Sequence, residues 1–167
     1  DRSRRRDHRR ERPLGVGAAV VGRWPGRVVC ARITLLAGEV DIDVGVLRAE
    51  IQKTYASVSQ EPGKDFVFPT GRAWAEDLGY PPELASVPES AVESFAGVAN
   101  PFALGRLAPG ERVLDVGSGA GTDSLVAAQM VGADGSVTGI DMTPEMLAKA
   151  RAAAHEASAT NVAFLEA

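Results

Sequence analysis

The residues best spaced to do chemistry stand at Asp115-Val-Gly117-Ser-Gly119-Ala-Gly121, with Asp141 and Met142 following twenty residues later. Glycines directly after an apolar strand let the backbone turn sharply and approach a ligand closely, because no Cβ intervenes. The helix expected after Gly121 adds free N–H groups and partial positive charge, which suit an anionic group. A carboxylate that ends the next strand, as Asp141 does, can accept from both hydroxyls of a ribose and disfavours a 2′-phosphate. Met142 beside it offers a polarizable surface for adenine. The constellation is that of a nucleoside site.

Loop spelling narrows the ligand. A nicotinamide loop, G-x-G-x-x-G, would put glycine where Thr122 stands. Here Asp115 precedes the first glycine by two residues. An acid there sits poorly against a pyrophosphate and well beside a positively charged amino group. S-adenosylmethionine carries such a group, so it is the expected cofactor. The candidate contacts are Asp115, Gly117, Ser118, Gly119, Gly121, Asp141 and Met142. Competing readings are a tight turn with no ligand, a nicotinamide or flavin oxidoreductase sharing the sheet and Asp141, and a non-catalytic binding protein.

The elements that must hold these residues follow from periodicity. Val44, Leu47, Ile51, Tyr55 and Val58 recur at spacings of three and four, which predicts an amphipathic helix over 44–58. Residues 65–71 are short and extended, 72–78 form a short helix capped by Gly79, and 89–96 make two helical turns with Pro88 at the first helical position. From there strand and helix alternate: strand 111–116, helix 122–131, strand 136–141, a helix from Thr143 (N-cap) and Pro144 to about Ala157, and strand 161–165. That order is the first half of an open, parallel, doubly wound α/β sheet of Rossmann-like type. Such a sheet normally continues, so truncation after the third strand is expected. The expected organisation is a basic, poorly ordered leader (1–40), a helical cap segment (41–108) and the first half of a cofactor-binding domain (109–167).

Composition excludes several classes. The chain has 167 residues, one cysteine (Cys30) and two histidines (His8, His155), which removes a disulfide framework and leaves no metal site to expect. Residues 1–12 hold seven of the 18 basic residues and three of the 22 acidic ones, so the remainder carries 11 basic against 19 acidic. An acidic body implies no specific nucleic-acid partner, and no apolar run is long enough to span a membrane. Gly15-Val-Gly17 mimics a dinucleotide loop, but no strand precedes it and Arg23, Trp24 and Pro25 break the helix it would open. His155 reads as a surface residue. Tyr55, Phe66, Phe68, Trp74 and Tyr80 read as core packing, with a pocket wall as the alternative for the first three.

Residues 112–121 (RVLDVGSGAG) and 137–149 (VTGIDMTPEMLAK) resemble the first and second motifs of class I S-adenosylmethionine-dependent methyltransferases. Residues 66–71 (FVFPTG), 78–82 (LGYPP), 88–101 (PESAVESFAGVANP) and the run I-D-M-T-P-E-M resemble bacterial arsenite methyltransferases, a similarity spanning roughly residues 46–167. The resemblance implies that Asp115, Gly117, Ser118, Gly119 and Gly121 contact the methionine end, and that Asp141 and Met142 hold ribose and adenine. It implies a cytoplasmic enzyme transferring a methyl group to arsenite or another small-molecule acceptor, a quinone precursor among them. A cofactor-binding fragment without activity is the further alternative. In-line displacement at a sulfonium carbon needs alignment and shielding from water rather than a compulsory base, so no catalytic residue is assigned. Where the family often spells G-C-G-N-P, this chain reads Gly97-Val-Ala-Asn-Pro101. Val98 cannot ligate arsenic.

Overall fold

The computed structural model describes residues 43–167 and two four-residue strands before them, β1 (Val21–Trp24) and β2 (Arg27–Cys30), paired antiparallel. The pattern marked neither strand. The rest of the leader expected over 1–40 lies outside the described residues.

Helix α1 (Val44–Gln60) begins where Asp43 accepts from the N–H groups of Gly45 (2.9 Å) and Val46 (3.1 Å), a side-chain cap that satisfies two otherwise unpaired donors. Only the C-terminal end of its apolar stripe is covered: Val58 is fully buried, whereas Val44 and Leu47 are exposed. Polar anchors do the rest. Gln52 Nε2 donates to the Met142 carbonyl (2.7 Å) and Ser59 Oγ to the Glu145 carbonyl (3.3 Å).

Residues 65–70 carry no regular element, and then α2 (Gly71–Asp77) and α3 (Glu89–Val92) flank a 3-10 turn at Pro82–Ser86. Helix α3 is one turn, not the two expected, and Pro88 is its N-cap rather than its first helical residue. The chain leaves the helix early because the Phe95 carbonyl accepts from Gly71 N (2.8 Å) and the Gly97 carbonyl from Trp74 Nε1 (2.7 Å). Those bonds tie the two ends of the cap together. Arg72 adds a third tie, reaching Glu89 (2.7 Å) and the carbonyls of Leu84 (3.3 Å) and Val87 (3.2 Å).

The second half follows its pattern closely. Strands β3 (Arg112–Val116), β4 (Ser136–Asp141) and β5 (Val162–Glu166) form a parallel sheet in that order, with helices α4 (Thr122–Val131) and α5 (Pro144–Glu156) as crossovers. Thr143 is the N-cap of α5 and Pro144 its first residue, as expected, although the Thr143 hydroxyl makes no capping bond. Both crossover helices cover one face of the sheet. On that face Val113 packs with Ala127 and Val131, and Phe164 with Leu125 and Ala150. The same core takes in Ala75, Leu84, Val92 and Phe95, so the cap rests directly on α4 and α5. His155 is exposed in the last turn of α5.

Candidate functional site

The loop between β3 and α4 turns through three glycines with positive φ, Gly117 (78°), Gly119 (52°) and Gly121 (88°). They do different work. A Cβ on Gly119 would meet nothing within 4 Å, whereas one on Gly121 would lie 2.8 Å from Phe164 Cζ and 3.1 Å from Ala150 Cβ. Gly119 therefore opens onto space, and Gly121 lets α4 and its loop sit down on α5 and β5. The loop is rigidly held: Gly117 N and Ser118 N both donate to the Ile140 carbonyl (2.8 and 3.0 Å).

A cavity of about 520 Å³ opens over this loop, walled by Gly117–Ala120, Thr122, Asp123, Ile140–Thr143 and Met146, and by Tyr55 and residues 94–98. Its size suits a small cofactor. Of the seven candidate contacts, Gly117, Ser118, Gly119, Asp141 and Met142 line it, and Asp115 and Gly121 stand outside its wall. Asp115 points to the helix-covered face of the sheet, where Ser124 Oγ donates to its Oδ2 at 2.6 Å. Burial raises the Asp115 carboxyl above its ordinary range, the Ser124 hydrogen bond opposes that rise, and the charge of Asp141 adds to it.

Asp141 ends β4 with its carboxylate clamped: Oδ1 accepts from Thr143 N (2.8 Å) and Oδ2 from Gly119 N (2.9 Å). Two backbone donors fix its plane in the cavity wall, and each oxygen keeps a lone pair for a further donor.

Sequence reading missed one carboxylate. Asp123, in the first turn of α4, lines the cavity and accepts from the Tyr80 hydroxyl at 2.6 Å. Burial, then the nearby charge of Asp115, pushes its pKa up to about 7, against the pull of the Tyr80 hydrogen bond. Tyr80 is raised in turn by its own burial and by Asp123, so it stays a donor. The signal available beforehand was an acid at the second helical residue, which reads equally well as a dipole partner.

The cavity also shows an unmet demand. The hydroxyls of Ser118 and Thr122, residues 7% and 3% exposed, have no hydrogen-bond partner among the described residues. A buried polar group left so costs about 1–3 kcal/mol, and both residues line the cavity. Helix α4 has no side-chain cap at Gly121 either. Two orphaned hydroxyls and an uncapped helix end in one wall call for a ligand with polar atoms there, which fits the amino-acid end of S-adenosylmethionine. Among the described residues no group of three His, Cys, Asp or Glu is arranged to hold a metal, and no helix is long and apolar enough to cross a membrane.

Residues 107–167 match the family model described as a methyltransferase domain. The chain resembles arsenite methyltransferases within it. It is 50% identical over 96 residues to the arsenite methyltransferase of Halobacterium salinarum, covering 57% of this chain and 24% of that protein. The aklanonic acid methyltransferase DauC of a Streptomyces species is 45% identical over 56 residues, covering 34% of this chain and 26% of that protein. Among solved structures, an arsenic(III) S-adenosylmethionine methyltransferase of Chlamydomonas reinhardtii is 40% identical with a TM-score of 0.47, covering 52% of this chain and 32% of that one. The chain thus spans about a quarter of the length of the curated relatives named here.

Proposed function

We propose that this chain carries the cofactor site of an S-adenosylmethionine-dependent methyltransferase of the arsenite methyltransferase kind, acting on arsenite or a small-molecule acceptor. The observation that carries the reading is the cavity over the glycine loop, lined by clamped Asp141 and by Ser118 and Thr122, whose hydroxyls have no partner among the described residues.

In this reading Asp141 holds the ribose hydroxyls and Met142 the adenine. Gly117, Ser118 and Gly119 receive the methionine end by close backbone approach and by the Ser118 hydroxyl. Asp115 and Gly121 shape the wall from behind it. When bound, S-adenosylmethionine supplies an electrophilic methyl carbon on a sulfonium. The work of the chain is then to orient and to keep water out. Tyr55, Phe95, Val116, Ile140 and Met146 give the cavity its apolar lining. Cytoplasmic location goes with the reading, because a cofactor of this kind is supplied by ATP-dependent metabolism inside the cell.

The test is binding of S-adenosylhomocysteine in competition with NAD, followed by transfer of a labelled methyl group from S-adenosylmethionine. S-adenosylhomocysteine is expected to bind and NAD to fail to displace it. Displacement by NAD, or no nucleoside binding at all, overturns the reading. Binding without transfer to any acceptor marks a cofactor-binding piece.

One observation favours a second acceptor class. Val98 lies in the cavity wall and is 92% exposed, so the position that bears cysteine in G-C-G-N-P offers a hydrocarbon to the acceptor. A small organic acceptor suits that surface better than arsenite. Side-by-side assays with thiol-bound arsenite and with organic hydroxyl or carbon acids separate the two: turnover of the organic acceptors alone assigns the second class.

A further inference from the structure

We propose that Asp123, oriented by Tyr80, is the carboxylate that receives the ammonium group of the cofactor's amino-acid end, in place of the motif acid Asp115. The inference rests on the cofactor reading above and deepens it.

A zwitterionic amino acid needs an anion for its ammonium and donors for its carboxylate, set a few ångströms apart. The N-terminal turn of α4 offers both. The Ser118 and Thr122 hydroxyls are buried, have no partner among the described residues and belong to the cavity wall, and α4 begins without a side-chain cap. Hydroxyls and first-turn N–H groups are donors suited to a carboxylate. Asp123 is the next residue after Thr122 and lines the same wall. Its Oδ1 is taken by Tyr80, and Oδ2 is bonded by no side chain among the described residues. An ammonium can therefore reach Asp123 without breaking a bond.

Asp115 differs from Asp123 in place rather than in bonding. It lies outside the cavity wall, and its Oδ2 is engaged by Ser124 Oγ from the helix-covered face. Asp115 acts instead through charge, as one of the neighbours that keep Asp123 proton-hungry. Tyr80 is a positioning residue: it packs edge-on against Phe95 (5.1 Å between centroids) and Phe102 (5.9 Å), which hold its hydroxyl on Asp123.

Two ligands separate this role from general support of the fold. S-adenosylhomocysteine carries the amino-acid end, whereas 5′-methylthioadenosine has the same nucleoside and thioether without it. Calorimetric titration of the 167-residue chain with both is expected to show Asp123→Asn weakening S-adenosylhomocysteine by about tenfold or more, the scale of one charge-assisted contact. The affinity for 5′-methylthioadenosine stays within about twofold, which also reports that the variant is folded. Tyr80→Phe, which removes only the orienting hydroxyl, gives a smaller loss confined to S-adenosylhomocysteine and decides the matter should Asp123→Asn not fold. The inference is overturned if Asp123→Asn weakens both ligands equally or neither, or if Asp115→Asn shows the selective loss instead. A wild-type chain that binds 5′-methylthioadenosine as tightly as S-adenosylhomocysteine overturns it while leaving the cofactor reading intact. A wild-type chain that binds neither ligand overturns both.

Discussion

Two carboxylates eight residues apart, Asp115 and Asp123, sit on either side of the glycine loop and have different surroundings. Both are raised by burial, Asp123 to about 7. A raised acid binds its proton more tightly in the native chain than in the unfolded one. Native stability is then favoured below the ordinary carboxylate range and is lost as pH rises from there through about 7. The groups acting on Asp123 are Asp115 from β3 and Tyr80 from the segment after α2, with Asp141 acting on Asp115. Urea unfolding across that window is expected to show stability falling with pH, and Asp123→Asn to flatten most of the slope. An unchanged slope in the variant would remove Asp123 as its source. At the cavity wall, Val98→Cys is expected to cost under about 0.5 kcal/mol, as substitutions at exposed positions do, and to be alkylated readily. A protected thiol there would mean that the wall closes over position 98.

At the scale of elements, α1 is joined to the rest by side chains more than by apolar packing. Lys149 of α5 gathers the Ser59 carbonyl (2.9 Å), Glu93 Oε1 (2.7 Å) and Ser94 Oγ (2.7 Å), so one ammonium ties the end of α1 to the exit of α3. Lys149→Met removes three charge-assisted bonds and is expected to cost about 2 kcal/mol in denaturant unfolding. Gly121 sits at the other critical junction. An alanine there must adopt φ near 88° and push its Cβ against Phe164 and Ala150. Gly121→Ala is expected to lower stability by about 1–3 kcal/mol, and to weaken nucleoside binding through the shifted loop. Periodicity made α4 and β4 legible to the residue, because each repeats over a full element. The short α3 was not legible: its length is set by the Phe95–Gly71 and Gly97–Trp74 bonds, which join residues more than twenty apart.

At the scale of the molecule, the two faces of the sheet differ. One is covered by α4 and α5; on the other, Leu114, Val116 and Leu165 are each about half exposed. Contiguous apolar side chains on a flat surface bind hydrophobic dyes. The 167-residue chain is expected to enhance anilinonaphthalene sulfonate fluorescence, and the paired change Leu114→Ser with Leu165→Ser to reduce it. Enhancement that survives both changes would move the dye site elsewhere, to the cavity itself.

Amino-acid order alone determined the alternation of strand and helix, the glycine loop and the acid at the end of β4. Those features are local: a period of two or 3.6, a missing Cβ, a spacing of twenty residues. It also supplied the resemblance that points to the cofactor. Tertiary structure decided which acid faces the cavity. A linear reading favours Asp115 for its place before the glycines, and only the pleat of β3 against the rotation of α4 turns it toward Ser124 and sets Asp123, bonded by Tyr80, in the cavity wall. The pairing of Tyr80 with Asp123 likewise spans 43 residues of chain. No periodicity carries a contact of that range; it exists because the cap and α4 share one core.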